Sequence, residues 1–294
     1  MSLFTGSGVA IVTPFNENNE INFEKLGELI DWQIENKTDA IVICGTTGEA
    51  STLHNDEHRA AIKYAVERVN KRVPVIAGTG SNNTDHAIDN SQYAEEVGVD
   101  GLLLVTPYYN KATQNGLIKH FTMIADKVNV PIILYNVPSR TGVNIAAETV
   151  AELAKHKNIQ GIKEASGDIG YLAEVARLVP EDFYIYSGND NMIVPILSLG
   201  GHGVISVIAN VMPEETHNIV ELYHTGQVKE SAKLQLALNP LVNSLFIEVN
   251  PIPVKTALNL MGKEVGHLRA PLCEMDDCNL AILKKELQNY KLTK

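Results

Sequence analysis

The chain has 294 residues, 45% of them hydrophobic and 20% charged, and its 24 Lys+Arg against 35 Asp+Glu give a formal net charge of -11. Such a composition suits a soluble globular protein of one large or two small domains, and the acidic balance excludes a general binder of nucleic acid or anionic lipid. No apolar run approaches the roughly 20 residues that span a bilayer, and the first fifteen or so residues lack the basic start and apolar core of a secretory signal. Cys44, Cys273 and Cys278 are odd in number and scattered, which argues against a disulfide framework and against a thiolate metal site. A cytoplasmic enzyme acting on small metabolites is the expectation.

Taken in chain order, a short β-branched run, a small or polar turn and an amphipathic stretch recur. The first strand is predicted over 9–12, followed by a helix with Phe23, Leu26, Ile30 and Ile34 on one face and Asn22 as its N-cap. A strand over 41–43 runs into Cys44-Gly45-Thr46-Thr47-Gly48, and Ile62, Ala65 and Val69 mark the next helix. A strand over 73–77 ends in Gly78-Thr79-Gly80, before a helix over 84–97 stopped by Gly98. Strands follow over 102–105, ending in Thr106-Pro107-Tyr108-Tyr109, and over 131–134, ending in Tyr135-Asn136-Val137-Pro138. Two more, over 159–162 and 184–186, end in Lys163-Glu164-Ala165-Ser166-Gly167 and Ser187-Gly188-Asn189-Asp190, and 204–207 is the eighth. Most strands are spaced by roughly thirty residues, the size of one βαβ unit. Near-continuous apolar strands need a parallel sheet buried on both faces. Eight of them without a reversal favour a closed (β/α)8 TIM barrel over an open doubly wound sheet. From 214 to 289 the chain reads as consecutive helices, interrupted at Asn250-Pro251-Ile252-Pro253. We therefore expect a barrel over 1–224 and a helical extension over 225–294 packed on it.

In such a barrel the C-terminal strand ends converge on one mouth, which selects Thr46, Thr47, Tyr108, Tyr109, Tyr135, Arg140, Lys163, Gly188 and the region of Ile205. Lys163 is the most informative, because a lysine closing a buried strand is poorly solvated. Desolvation disfavours the ammonium, and a neutral amine in a dry pocket can form a Schiff base with a carbonyl substrate. A rim lysine that snorkels to water or pairs with Glu164 is the competing reading. Tyr135, at the matching end of the preceding strand, should lie beside Lys163 and can exchange protons at the carbinolamine stage; a tyrosine that merely caps the strand layer is the alternative. Thr46 and Thr47 sit in a glycine-bracketed turn that could hold a small anion, and Arg140, in a loop, could grip a carboxylate bidentately or simply face solvent. Gly78-Thr79-Gly80 and Gly200-Gly201-His202-Gly203 lack full dinucleotide or Walker spacing. His54 and His58 flank Asp56 in a polar helix start and do not read as a metal site.

With these residues assembled, the whole chain resembles the dihydrodipicolinate synthase family. The resemblance rests on Gly45-Thr46-Thr47-Gly48-Glu49, Thr106-Pro107-Tyr108-Tyr109-Asn110, Tyr135-Asn136-Val137-Pro138-Ser139-Arg140-Thr141-Gly142, Gly161-Ile162-Lys163-Glu164-Ala165-Ser166, Ser187-Gly188-Asn189-Asp190 and Asn250-Pro251-Ile252-Pro253-Val254-Lys255. It implies a class I, Schiff-base aldol condensation of pyruvate with L-aspartate 4-semialdehyde in lysine and diaminopimelate biosynthesis. By resemblance, Lys163 forms the imine, and Tyr135 shuttles protons through Thr47 to a Tyr109 that reaches in from a neighbouring subunit. Thr46 and Thr47 hold the pyruvate carboxylate near the backbone of Ile205. Gly188 joins the substrate site, and Arg140 selects the carboxylate of the semialdehyde. The family's usual assembly is a homotetramer built as a dimer of dimers.

Departures and rivals bear on this expectation. Members inhibited by lysine carry an acidic residue where this chain has His86, and Ala50 and Asn55 also differ, although His58, Asn82 and Tyr108 match; weak or absent lysine feedback follows. N-acetylneuraminate lyases and keto-deoxy sugar acid aldolases share the lysine and tyrosine, but Arg140 and the Thr46-Thr47 pair favour the synthase. A non-catalytic keto-acid sensor should have lost part of the Tyr109, Thr47, Tyr135 and Lys163 set, which is complete here. A metal-dependent barrel hydrolase would need a His-x-His after the first strand, and there is none.

Overall fold

The computed structural model describes residues 3–293. The apolar runs fold as parallel strands: β1 Gly6–Ala10, β2 Ala40–Ile43, β3 Val75–Gly78, β4 Gly101–Val105, β5 Ile132–Asn136, β6 Ile159–Glu164, β7 Tyr184–Ser187 and β8 Gly203–Ser206. They close in chain order into a barrel, β8 completing it by pairing with β1 through Gly8↔Ile205. The sequence expectation of a (β/α)8 barrel with a C-terminal helical extension is met.

Outside the strands lie α1 Phe23–Glu35, α2 Asn55–Val69, α3 Thr84–Val97, α4 Gln114–Ala125, α5 Pro138–Thr141, α6 Ala147–Leu153, α7 Ile169–Leu178, α8 Ile193–Leu197 and α9 Pro213–His224. Their boundaries follow local chemistry. Asn22 caps α1 by accepting the Lys25 N–H at 3.0 Å, and α3 stops at Gly98 in the left-handed conformation, φ 93°. Leu26, Leu29 and Ile30 of α1 and Ala61, Ile62, Ala65 and Val69 of α2 bury one face of each helix against the outward side chains of the strands.

A second, smaller apolar cluster fills the barrel itself, where Ala40, Val42, Ile76, Leu103, Ile133 and Ile205 point inward. At the N-terminal end of the strands Phe4 plugs it, stacked on Tyr186 at 4.5 Å, while the Tyr186 hydroxyl donates to the Phe4 carbonyl at 2.6 Å. A Cβ at position 8 would meet the Phe4 ring at 2.7 Å, so glycine is needed there.

This corrects the first strand, expected over 9–12 and found at Gly6–Ala10. A strand that must let a ring approach its backbone carries Gly and Ser rather than β-branched residues. β5 and β6 also run two residues further than expected, so Tyr135 and Lys163 lie inside strands. Of the added residues, Tyr135 and Lys163 face inward, while Asn136 and Glu164 face outward and bond each other: Asn136 Nδ2 donates to Glu164 Oε2 at 2.8 Å.

The C-terminal extension comprises α10 Val228–Leu245, α11 Ile252–Leu260 and α12 Asp277–Asn289, with the break at Asn250–Pro251 where the sequence placed it. Residues 261–276, however, are not helical. Gly262 and Gly266 both adopt φ 78°, and the segment binds back to the barrel, Val265 accepting the Phe15 N–H at 3.1 Å. Among the described residues no helix is long and apolar enough to cross a membrane.

Candidate active site

The pleat of β6 alternates its side chains, turning Lys163 into the barrel and Ile162 and Glu164 outward. Register sets Lys163 opposite Tyr135 on one side and Tyr186 on the other. Lys163 is 6% exposed, and its Nζ stands 4.4 Å from the centre of the Tyr135 ring. Glu164 does not neutralise it. That carboxylate accepts from Asn136 and from the Ser166 N–H, and burial raises it above the usual carboxylate range. Room for the lysine comes from Gly188, where a Cβ would lie 3.1 Å from Lys163 Cε and 2.7 Å from Ala165 Cβ.

Tyr135, Thr46 and Arg140 line one cavity of about 460 Å³ at the C-terminal mouth, with Tyr108 on its wall. Thr46 and Thr47 belong to a turn bracketed by two non-glycine residues in the left-handed region, Cys44 at φ 55° and Glu49 at φ 54°. Thr47 is buried, and its Oγ1 accepts from Asn250 Nδ2 at 3.0 Å. With that lone pair occupied, the Thr47 hydroxyl proton is left to point elsewhere in the site. The Asn250 carbonyl accepts from Arg140 Nη2 at 3.0 Å, so one residue of the extension touches both the threonine turn and the guanidinium. Arg140 sits on α5, a single helical turn, rather than in the expected loop, because Pro138 starts a turn that Gly142 ends at φ 70°. Ile205 is fully buried in the barrel's inner cluster.

Tyr109 is not brought to this group within one chain. It is 92% exposed at φ 71°, projecting from the loop after β4. His54 and His58 diverge as well: the His54 N–H binds Glu57 at 3.0 Å, while His58 Nε2 faces the Gly78 carbonyl at 2.8 Å. Among the described residues no group of three or more His, Cys, Asp or Glu could hold a metal ion.

Sequence reasoning gave no role to Asn250 or Asp190. Asp190 is buried beside the site, its Oδ2 accepting the N–H groups of Val207 and Ile208 at 3.0 and 2.9 Å just after β8. Burial raises its carboxyl, while hydrogen bonds from Ser206, Ile208 and Val207 and the nearby Lys163 charge pull it down. The available signal was an acid three residues past the end of β7, in a turn that already carried Gly188.

A family model described as the dihydrodipicolinate synthetase family matches residues 3–290. The chain belongs to that family. Among curated relatives, the 4-hydroxy-tetrahydrodipicolinate synthase of a Thermoanaerobacter species is 60% identical, over 100% of this chain and 99% of its own. Among solved structures, the dihydrodipicolinate synthase from Aquifex aeolicus is 44% identical with a TM-score of 0.97, covering 98% of this chain and 99% of that one. A chloride-inhibited family member from Acinetobacter baumannii, complexed with pyruvate, is 41% identical with a TM-score of 0.96, covering 99% and 100%. The family therefore extends from the plugged floor of the barrel to the last helix, and the site described above lies within the matched span.

Proposed function

We propose that this chain is a lyase that condenses pyruvate with L-aspartate 4-semialdehyde to give 4-hydroxy-tetrahydrodipicolinate, in lysine and diaminopimelate biosynthesis. The observation that carries this reading is a lysine amine held inside a barrel against the ring of Tyr135, a tyrosine that itself lines a cavity with the Thr46 hydroxyl and the Arg140 guanidinium. Lys163 Nζ attacks the ketone carbon of pyruvate, and the carbinolamine loses water to form an imine. The imine nitrogen withdraws electrons, so the methyl group loses a proton and becomes an enamine carbon. That carbon bonds the aldehyde carbon of the semialdehyde, whose oxygen takes up a proton. The amino group of the new chain then attacks the imine carbon. Ring closure forms the new C–N bond as the bond to Lys163 breaks, freeing the amine.

Tyr135 donates and accepts the protons of these steps, with the Thr47 hydroxyl as the next carrier. Thr46 and Thr47 hold the pyruvate carboxylate with the backbone at Ile205, and Gly188 leaves space for the adduct. Arg140 grips the carboxylate of the aldehyde. Tyr109, exposed and held in a left-handed backbone, completes the relay of a second copy in a homotetramer built from two tight dimers. The cytoplasm is the compartment that this role implies. Borohydride reduction with pyruvate, followed by peptide mass mapping, should place the trapped adduct on Lys163; an adduct elsewhere, or none, refutes the reading.

Regulation follows from the same cavity. His86, Ala50 and Asn55 line it, and none of the residues that line it carries a carboxylate. Burial holds His58 below its ordinary pKa. A free lysine would find no counter-charge for its ammonium there. Lysine titrations up to millimolar concentration should leave turnover nearly unchanged, and strong inhibition would overturn this.

A further inference from the structure

The most deeply buried ion pair among the described residues lies outside the reacting groups. Lys255 Nζ meets Glu49 Oε1 at 2.8 Å, with side-chain exposures of 1% and 0%. Such a pair is a poor source of stability, since desolving both charges offsets most of their attraction, and apolar replacements of similar volume are often neutral or better. Burial pulls the Lys255 ammonium below its ordinary pKa, and the Glu49 charge opposes that pull.

What the pair does achieve is geometric. Glu49 is the left-handed residue that ends the threonine turn, and both of its carboxylate oxygens are tied: Oε1 to Lys255, Oε2 to the Arg269 N–H at 3.0 Å. Lys255 is fixed in turn by the His267 carbonyl at 2.5 Å and by the Phe15 ring, 4.4 Å from Nζ to centroid. Arg269 packs over the same ring at 4.2 Å and binds the Thr52 carbonyl and Glu57. The Thr13 hydroxyl donates to the Gly48 carbonyl at 2.6 Å, closing the other side of the turn. Lys255 also lies on α11, which opens directly after Asn250 and its bond to Thr47.

We propose that Glu49 and Lys255 are positioning residues of the condensation: their ion pair locks the Thr46–Thr47 turn in the orientation that receives pyruvate, which makes the C-terminal extension a working part of the active site. This rests on Thr46 and Thr47 being the pyruvate-binding pair. A strained turn held only by its own backbone would relax, and displacing a binding group by about 1 Å can cost about a hundredfold.

The test compares Lys255→Met and Glu49→Gln with Thr47→Val in the full-length enzyme, well below each variant's Tm. The readouts are the pyruvate concentration that half-saturates borohydride trapping on Lys163, and KM and kcat separately. Half-saturation should rise about tenfold to a hundredfold in both ion-pair variants, with KM for pyruvate following it and kcat at saturation falling less. A purely structural pair would lower Tm and leave that concentration where it is in the wild type; that result in either folded variant overturns the proposal. Should Lys255→Met strand Glu49 and fail to fold, Glu49→Gln carries the test. Its amide offers one acceptor to two donors, Lys255 and the Arg269 N–H, so one bond must fail. If Thr47→Val and a Thr46→Val companion both trap pyruvate like the wild type, the assignment of the threonines falls instead, whatever the ion-pair variants do.

Discussion

At its lower end the barrel is filled by rings, Phe4 stacked on Tyr186 with the Tyr186 hydroxyl spent on a backbone carbonyl. At its upper end the backbone passes through the left-handed region at Cys44, Glu49, Tyr109 and Lys111, and an ion pair is buried. The floor relies on apolar area and close contact, so it tolerates no gap but needs no particular charge. The mouth keeps an amine, hydroxyls and carboxylates out of bulk water, and it ties some of them, such as Glu49 and Thr47, to partners, while Asp190 Oδ1 and Asn250 Oδ1 stay unpaired among the described residues. The comparison teaches that this chain separates what holds it folded from what it does, along a single axis.

Substitutions should therefore split cleanly by end. The largest effect is expected at Lys163→Ala, which removes the amine proposed to carry the imine. Turnover should fall by roughly a thousandfold or more, while thermal unfolding stays close to the wild type; a variant that still condenses pyruvate breaks the scheme. At the floor, Phe4→Ala should cost about 3–5 kcal/mol of stability through the cavity it opens, seen in denaturant midpoints, with kcat of the folded fraction unaltered. A loss of kcat there would show that the two ends are coupled. Tyr135→Phe keeps the ring that Lys163 contacts and deletes the hydroxyl proposed as the proton carrier. Its kcat should drop about a hundredfold, with little change in melting. Smallest is a pH effect beneath the barrel. His217 on α9 donates to Asp39 at 2.8 Å, and this bond and charge raise its pKa above 6.5 against some desolvation. The folded state thus favours the charged imidazole. Its contribution, at most about 1 kcal/mol, is complete below the ordinary histidine pKa and lost as pH rises through the raised value. The gap in Tm between wild type and His217→Gln should close over that interval, and a gap that widens with pH would reverse the sign.

Legibility in the sequence followed the distance over which each signal acts. Strand and helix periods are local, so the eightfold alternation, the Asn22 cap and the Gly98 stop could all be read directly. β1 was displaced because Gly6, Ser7 and Gly8 show no apolar run; their smallness answers to Phe4, a tertiary demand. β5 and β6 are expected to end at Leu134 and Ile162 because the polar pairs Tyr135-Asn136 and Lys163-Glu164 look like strand ends, until the outward Asn136 and Glu164 are seen to bond. Lys163 and Tyr135 stood out as inward polar residues closing apolar runs. Asn250 and Lys255 did not, since their partners Thr47 and Glu49 lie 203 and 206 positions away. No pattern in a single chain announces a contact across that span. The segment 261–276 lacks β-branched runs and so reads as helix in the sequence, but Gly262 and Gly266 are left-handed corners that make it irregular, and it holds Arg269 against Glu49.

The stacked pair of aromatic rings has one more consequence. It turns the barrel into a blind well, with the amine deep inside and the guanidinium near its lip. With the lower end closed, the cavity that Tyr135 and Arg140 line lies at the open end of the strands. If the proposed roles of Lys163 and Arg140 hold, a ketone bonded to the amine occupies the inner position and leaves the outer one to the aldehyde. The architecture would then favour a fixed sequence of arrivals, inner partner first.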